Sequence, residues 1–328
     1  MSDVPTLQTI YAAQERLDGL IHRTPLVANR SLSSWAGREL RFKAENWQIT
    51  GSFKVRGALN KIAELSRDGV PGVVTASSGN HGQAVAWAAR HFALPARVVV
   101  PVTAPSVKVE AARHYGATIE PCGERSRERL ERAQVIAQET GYAFVPPYDD
   151  PLVIAGQGTI GLEILSDWPR VDTVLVPVGG GGLISGIATA IKNCRPGVRV
   201  IGVEPEGAAK AQQSRRLGHR VELESTASIA DGLITLALGH LTYPLIERYV
   251  DDLVTVSDAA IQQALWLIMT RMKMVVEPSG AAAAAYALSA RPNLALGTSV
   301  AIVLSGGNLD PMHVNLLAKP PSATPEAR

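Results

Sequence analysis

Aromatic residues are scarce, 5% of 328, so a core must be assembled from Ala, Val, Leu and Ile rather than from stacked rings. Cysteine is nearly absent. Cys122 and Cys194 stand far apart with no CxxC spacing, which excludes a disulfide framework and a thiolate zinc site. No charge sign dominates: 32 Lys and Arg face 30 Asp and Glu, a formal net charge of +2. The massed basic face of a nucleic-acid binder is therefore not expected. The densest charge run, residues 124–132 (ERSRERLER), alternates both signs and reads as a solvated helix face. No run reaches the roughly 18 apolar residues that a membrane span needs. The amino-terminal MSDVPTLQTIYAAQERLDG also lacks a charged-then-apolar secretion pattern. A soluble, cytoplasmic protein without nucleic-acid or membrane partners is expected.

What is present is ordinary globular material, 46% hydrophobic and 19% charged, enough for one large or two interlocked domains. Short β-branched runs at residues 72–75, 96–101, 117–120, 173–178, 198–204, 253–256 and 298–304 alternate with helical patterns. These patterns cover residues 83–90, 125–139, 184–194 and 259–274. Such alternation predicts an α/β fold with mainly parallel sheets, and near-continuous strands such as VLVPV and VAIVL fit sheets covered on both faces. Seams at residues 68–72 and 146–151 predict a larger domain from residues 1–70 and 151–318, and a smaller one from 71–150. The proline-rich tail, 319–328, is expected to be disordered.

Chemistry concentrates in a few loops. In VPVGGGGLISGIA (176–188) an apolar strand runs into Gly179, Gly180, Gly181 and Gly182 and then a helix. Four glycines can turn successive N–H groups toward one point, and the helix start adds its own, which makes an anion cradle without basic side chains. A dinucleotide site is a rival: Gly180, Gly182 and Ser185 approach GxGxxG, and Glu204 closes the next strand at a suitable distance. In TASSGNHGQAVAWAA (75–89), Ser77, Ser78, Gly79, Asn80 and His81 crowd a helix start suited to a carboxylate, although one N-capping residue would need no ligand. His81 alone would more often be structural. Lys54, between Phe53 and Val55 and before a helical pattern, is a candidate for burial. Burial would lower its pKa and make it a nucleophile or base; a surface lysine is the commoner alternative.

ITGSFKVRGA, ASSGNHGQA, VIAGQGTIGLEIL, VPVGGGGLISGIA, IADGL, EPSGA and LSGGNLD occur in this order. From about residue 20 to about 312 the sequence resembles the threonine/serine dehydratase and serine racemase family, the fold type II pyridoxal-phosphate enzymes. The resemblance implies two open α/β domains with the cofactor, pyridoxal 5′-phosphate, between them. Lys54 would carry the cofactor as an imine and act as the base at Cα. Phe53 would pack on the cofactor ring, Asn80 would bond its phenolic oxygen, and Ser305 would face its ring nitrogen. Gly179, Gly180, Gly181, Gly182 and the N–H of Leu183 would hold its phosphate. Ser77, Ser78, Gly79, Asn80 and His81 would take the substrate carboxylate, with Ser78 a candidate acid/base opposite Lys54. Tyr148 is the candidate for lining the side-chain pocket.

These roles imply removal of water from a 3-hydroxy amino acid, with L-threonine and L-serine leading. 3-Hydroxyaspartate, phenylserine, an ectoine-derived compound or racemisation stay open, as does assembly as a homodimer. Relatives within this resemblance often hold a divalent ion on a Glu, a backbone carbonyl and an Asp. Here Glu204 and Ala208 match but Lys210 stands at the Asp position, so no metal is expected. An NAD-dependent oxidoreductase or a non-catalytic amino-acid sensor would leave Lys54 and Ser305 without a purpose.

Overall fold

The computed structural model describes residues 4–77, 79–104, 106–289, 296–311 and 314. Ser78 and the tail 319–328 lie outside them. Ten strands form: β1 (Leu26–Ala28), β2 (Glu39–Ala44), β3 (Val73–Ala76), β4 (Ala96–Val100), β5 (Thr118–Pro121), β6 (Ala143–Phe144), β7 (Thr173–Pro177), β8 (Arg199–Pro205), β9 (Asp252–Val256) and β10 (Ser299–Leu304). They make a six-stranded sheet ordered β1-β2-β10-β7-β8-β9 and a four-stranded sheet ordered β5-β4-β3-β6. All pairings are parallel except β1 with β2. The mainly parallel α/β architecture is as expected.

Both faces of the large sheet are covered, which is why its strands are continuously apolar. Leu175, Ile201, Val203, Ile302 and Leu304 join the core on one face. Their neighbours Val174, Val176, Val200, Ala301 and Val303 join a second core on the other, as the period of two requires. The small sheet has its own core around Val73, Val98, Val85 and Ala88.

Between the sheets, the helices Lys54–Arg67, Pro151–Asp167 and Gly182–Cys194 meet at unusually short range. A Cβ on Gly156 would stand 2.5 Å from Arg56 O, and one on Gly158 2.7 Å from Ile10 Cδ1. The glycines of GQGTIG are therefore packing residues: they let backbone approach backbone where any side chain would push the helices apart. The charge run 124–132 falls on the helix Ser126–Thr140, where Arg127 and Glu131 form an exposed i,i+4 pair of 2.8 Å. Cys122 and Cys194 are free thiols. Among the described residues no helix is long and apolar enough to cross a membrane.

One expected helix is broken. Instead of running through 259–274, it is α-helical over Asp258–Leu267, passes into a π-turn at Ile268–Met272 and stops at Lys273 with φ +60°.

Candidate active site

Lys54 is the first residue of the helix Lys54–Arg67, with Phe53 at the N-cap position. The turn before it is pinned to the end of β10: Phe53 N donates to Ser305 O at 3.1 Å, and Ser52 forms a bridge with Gly306. The lysine ammonium donates to Pro147 O at 2.7 Å and lies 5.1 Å from the centroid of the Phe53 ring. Burial lowers its pKa to about 8, against an opposing pull from the Glu277 carboxylate. An amine of this kind is partly unprotonated near neutrality, which is what a nucleophile or base needs.

The helix is fixed from behind by a buried ion cluster. Arg56 bonds Glu45 at 2.8 Å and Glu163 at 2.7 Å. Lys43 bonds Glu163 at 2.6 Å, and Thr24 Oγ1 donates to Glu45. Burial opposes the charge on Arg56, but the two carboxylates more than offset it and raise its pKa. Likewise burial would raise Glu163, yet Arg56 and Lys43 hold it below the ordinary carboxylate range. Two cations facing two carboxylates leave no uncompensated charge, so the helix Lys54–Arg67, β2 and the helix Pro151–Asp167 are tied together two residues from Lys54.

The glycine loop is linked to Lys54 through Pro147, which accepts from the lysine, and Tyr148, which packs on the loop. Gly181 has φ +96° and caps the helix Gly182–Cys194, whose first N–H groups have no intrahelical acceptor. The loop is also clasped by protein. A Cβ on Gly180 would fall 2.5 Å from Tyr148 Cγ, one on Gly182 2.9 Å from Tyr148 Cβ, and one on Gly181 2.8 Å from Thr242. Thr242 Oγ1 donates to Gly180 O at 2.7 Å. Tyr148 thus packs on the loop, where burial, with Asp149 nearby, raises its phenol pKa.

The remaining segments close the ring. Asn80 opens the helix Asn80–His91; its Nδ2 donates to Glu277 Oε1 at 2.5 Å, and its Oδ1 accepts from Asn308 Nδ2 at 2.7 Å. Ser77 Oγ accepts from Gly79 N at 3.3 Å. Ser305 is buried at the end of β10, its hydroxyl 3.5 Å from Ser279 O. Ser279 Oγ in turn accepts from Gly232 N at 2.8 Å, and Gly232 O would stand 3.0 Å from a Cβ on Gly179. Phe53, Lys54, Asn80, Ser305, Tyr148 and the Gly179–Gly182 loop are thereby brought into one connected cluster between the two sheets. Ser78 is not among the described residues.

His81 takes a different position from a carboxylate-binding side chain. Its ring is buried, with Nε2 3.0 Å from Val145 O, and burial together with the charge of Lys54 lowers its pKa to about 3. The imidazole is neutral, so His81 can offer a first-turn backbone N–H but not a positive ring. Sequence reasoning assigned no role to Glu277, Asn308 or the Pro147 carbonyl. EPSGA and LSGGNLD marked the first two only as motifs, and a backbone acceptor leaves no signature in side-chain identity.

The dinucleotide alternative loses its acidic residue. Glu204 has no exposure; its carboxylate accepts from Ala211 N and Gln212 N at 2.9 Å and pairs with Lys210 at 3.1 Å. It is not available to a ribose. Among the described residues no group of three or more His, Cys, Asp or Glu side chains is arranged for a metal.

The chain is similar to proteins of known activity. It is 46% identical over 306 residues to the L-threonine ammonia-lyase of Thermotoga maritima, covering 93% of this chain and 76% of that one. It is 42% identical to the L-threo-3-hydroxyaspartate ammonia-lyase of Saccharomyces cerevisiae over 94% of both. The structure of maize serine racemase superposes with a TM-score of 0.92 at 40% identity, over 95% of this chain and 96% of the other. Residues 17–306 match the family described as "Pyridoxal-phosphate dependent enzyme". With the lysine, the glycine loop and the buried serine joined in one connected cluster, and with that match spanning residues 17–306, the protein belongs to the pyridoxal-phosphate dependent enzymes.

Proposed function

We propose that this protein is an ammonia-lyase that removes water from a 3-hydroxy amino acid, L-threonine or L-serine, to give a 2-oxo acid and ammonia. The observation that carries the reading is Lys54: an amine with its pKa lowered to about 8, bonded to Pro147 O beside Tyr148, which packs on the glycine loop. The residues present fit pyridoxal phosphate. Besides the cradle and the amine, the buried Ser52 Oγ finds no hydrogen-bond partner among the described residues, an unmet polar demand beside Lys54.

Lys54 would hold the cofactor's aldehyde, and Gly179, Gly180, Gly181, Gly182 and Leu183 N would hold its phosphate. Phe53 would lie against its ring, Asn80 would donate to its phenolic oxygen, and Ser305 would meet its ring nitrogen. When bound, the cofactor supplies an electron sink for charge that develops at Cα. Once the substrate's own amine has displaced it from the cofactor, Lys54 would be free as an amine whose lowered pKa, about 8, suits it to take the Cα proton. Ser77 and the first-turn N–H groups of the Asn80–His91 helix orient the substrate carboxylate. A neutral hydroxyl at Ser305, rather than a carboxylate, favours prompt loss of the β-hydroxyl. Ser78 keeps the role of acid/base on the other face, and Tyr148 that of a wall of the side-chain pocket.

A second reading, elimination from L-threo-3-hydroxyaspartate or serine racemisation, is favoured by the names of two similar proteins. We further infer a cytoplasmic homodimer with residues 71–150 as the smaller domain. Two free thiols support a reducing compartment. Trp47 and Val275, 48% and 58% exposed, lie on segments joined by the Asn46–Val275 hydrogen bond and offer an apolar contact surface.

The test is release of 2-oxo acid and ammonia from purified holoenzyme given L-threonine, L-serine or L-threo-3-hydroxyaspartate, with D-serine measured in parallel. Fast release from threonine or serine is expected. Release from hydroxyaspartate alone moves the reading to an acidic substrate, and D-serine without 2-oxo acid moves it to racemisation.

A further inference from the structure

Lys210 opens the helix Lys210–Leu217 and has no exposed surface. Its Nζ lies 3.1 Å from Val178 O, 3.0 Å from Ala208 O, 3.0 Å from Leu233 O and 3.1 Å from Glu204 Oε1. An ammonium has three N–H donors and accepts nothing. Here it is surrounded by one carboxylate and three carbonyls from separate segments: the end of β7, the turn after β8, and the 3-10 turn Asp231–Leu233. Val178 immediately precedes the glycine loop, and a Cβ on Gly179 would stand 3.5 Å from Leu233 Cα. The ammonium therefore ties the loop's entry to the turn that packs against it.

Four oxygens converging on one buried positive centre is the arrangement of a bound cation rather than of an ion pair. Relatives within the resemblance described above often hold a divalent ion on a Glu, a carbonyl and an Asp at this strand end. The residues here do not fit such an ion. Lys210 replaces the second acid and fills the centre with its own charge, and oxygens at 3.0–3.1 Å are far beyond the about 2.1–2.6 Å that magnesium or calcium requires.

We propose that the Lys210 ammonium is a tethered cation that replaces a bound metal ion and positions the Gly179–Gly182 loop, so that the holoenzyme works without divalent metal. Lys210 is a positioning residue, acting through the loop. The inference rests on the reading of that loop as the phosphate cradle.

The experiment treats wild-type and Lys210→Ala holoenzyme with chelator, then adds back Mg²⁺, Ca²⁺, K⁺ or methylammonium separately. Thermal midpoint, cofactor retention on dilution and 2-oxo acid release are read at each step. Methylammonium is used because ammonia is itself a product. Wild type should hold its midpoint and its rate within about twofold, as removal of a group that is not a ligand predicts. Lys210→Ala should lose several degrees in midpoint and retain cofactor on the order of tenfold less well, as when a group orienting a binding site is lost. The truncation leaves an oxygen-lined hole sized for an ammonium, so methylammonium or the larger K⁺ should restore both, whereas Mg²⁺ and Ca²⁺ should not. Lys210→Met, which fills the hole without charge, should be destabilised and not rescued; it also serves if Lys210→Ala does not fold.

Loss of wild-type activity to chelator with recovery on Mg²⁺ would overturn the proposal. So would a Lys210→Ala or Lys210→Met protein with an unchanged midpoint. Ion-dependent melting of Lys210→Ala with unaltered cofactor retention would uphold the tethered cation and remove the phosphate-cradle reading instead.

Discussion

Lys54 is partly buried and Lys210 wholly so, yet the roles proposed for them are opposite, a reagent and a strut. Among the described residues Lys54 donates to a single carbonyl, Pro147 O, with the Glu277 carboxylate as an opposing charge. Lys210 is surrounded by three carbonyls and a carboxylate. Burial lowers the pKa of both, and for Lys210 the adjacent Glu204 opposes it. The difference lies in partner count: a buried ammonium with every N–H satisfied stays charged and fixes what surrounds it, whereas one with a single acceptor has reason to lose its proton. Burial alone therefore does not mark a catalytic lysine.

The largest way to break the comparison is Lys54→Ala, expected to lower turnover by at least about 10⁴-fold with the fold intact. Steady-state rates and circular dichroism check it, and a rate within tenfold of wild type would refute the assignment. Next is the ion cluster that holds the Lys54 helix. Arg56→Met leaves Glu45 and Glu163 buried with less compensation, at a cost of about 3–5 kcal/mol in urea unfolding.

Smaller, and opposite in sign, is Lys54→Met in cofactor-free protein. A lowered folded-state pKa means that the unfolded chain binds the extra proton between about pH 8 and 10.4. Wild-type stability should therefore rise across that window, and the penalty is fully present below pH 8. Allowing for solvent in the cleft, Lys54→Met should gain about 1–3 kcal/mol at pH 7, shrinking as pH rises through the window. Lys210→Met should lose stability instead; the same sign for both would collapse the contrast. Smallest is Glu277→Gln. Removing the charge that supports the Lys54 ammonium should shift the inflection of pyridoxal-phosphate uptake below pH 8 by less than about one unit, read from uptake rates against pH.

How much of this was legible follows from what kind of signal each element carries. β7 and β10 were visible because both faces are covered and every position after the opening Thr173 or Ser299 is apolar. β2 was not singled out, although Glu39, Arg41 and Lys43 alternate with Leu40, Phe42 and Ala44 at a strand's period, and its charged face does not announce that Lys43 is buried. Lys43 is tolerated in the interior only because Glu163, on a helix far along the chain, neutralises it. The two-residue β6 was too short to show periodicity. The π-turn at Ile268–Met272 has no proline or glycine to announce it. Within the site, Lys54, Asn80, Ser305 and the glycine loop were legible from local context and resemblance. The glycines were only half understood, however: they answer to Tyr148 and Thr242 pressing on the loop as well as to any anion. The locking of His81 onto Val145 O and the approach of Glu277 to Asn80 depend on tertiary neighbours, which a linear pattern does not contain.

Four consecutive residues carry chain from the small sheet to the large one, and each is attached to something different. Pro147 O receives Lys54, and Tyr148 lies on Gly180 and Gly182. Asp149 accepts from His240 N and Leu241 N at 2.8 Å. Asp150 caps the helix Pro151–Asp167 and pairs with Lys61 at 2.9 Å. A passage of chain clamped at four successive points is a poor place for adjustable parts. Any swing of one sheet against the other must move reactive amine, cradle and turn as one rigid piece. Retuning substrate choice through Tyr148 alone would disturb all three, so redesign of this enzyme has to begin at side chains that do not belong to that clamp.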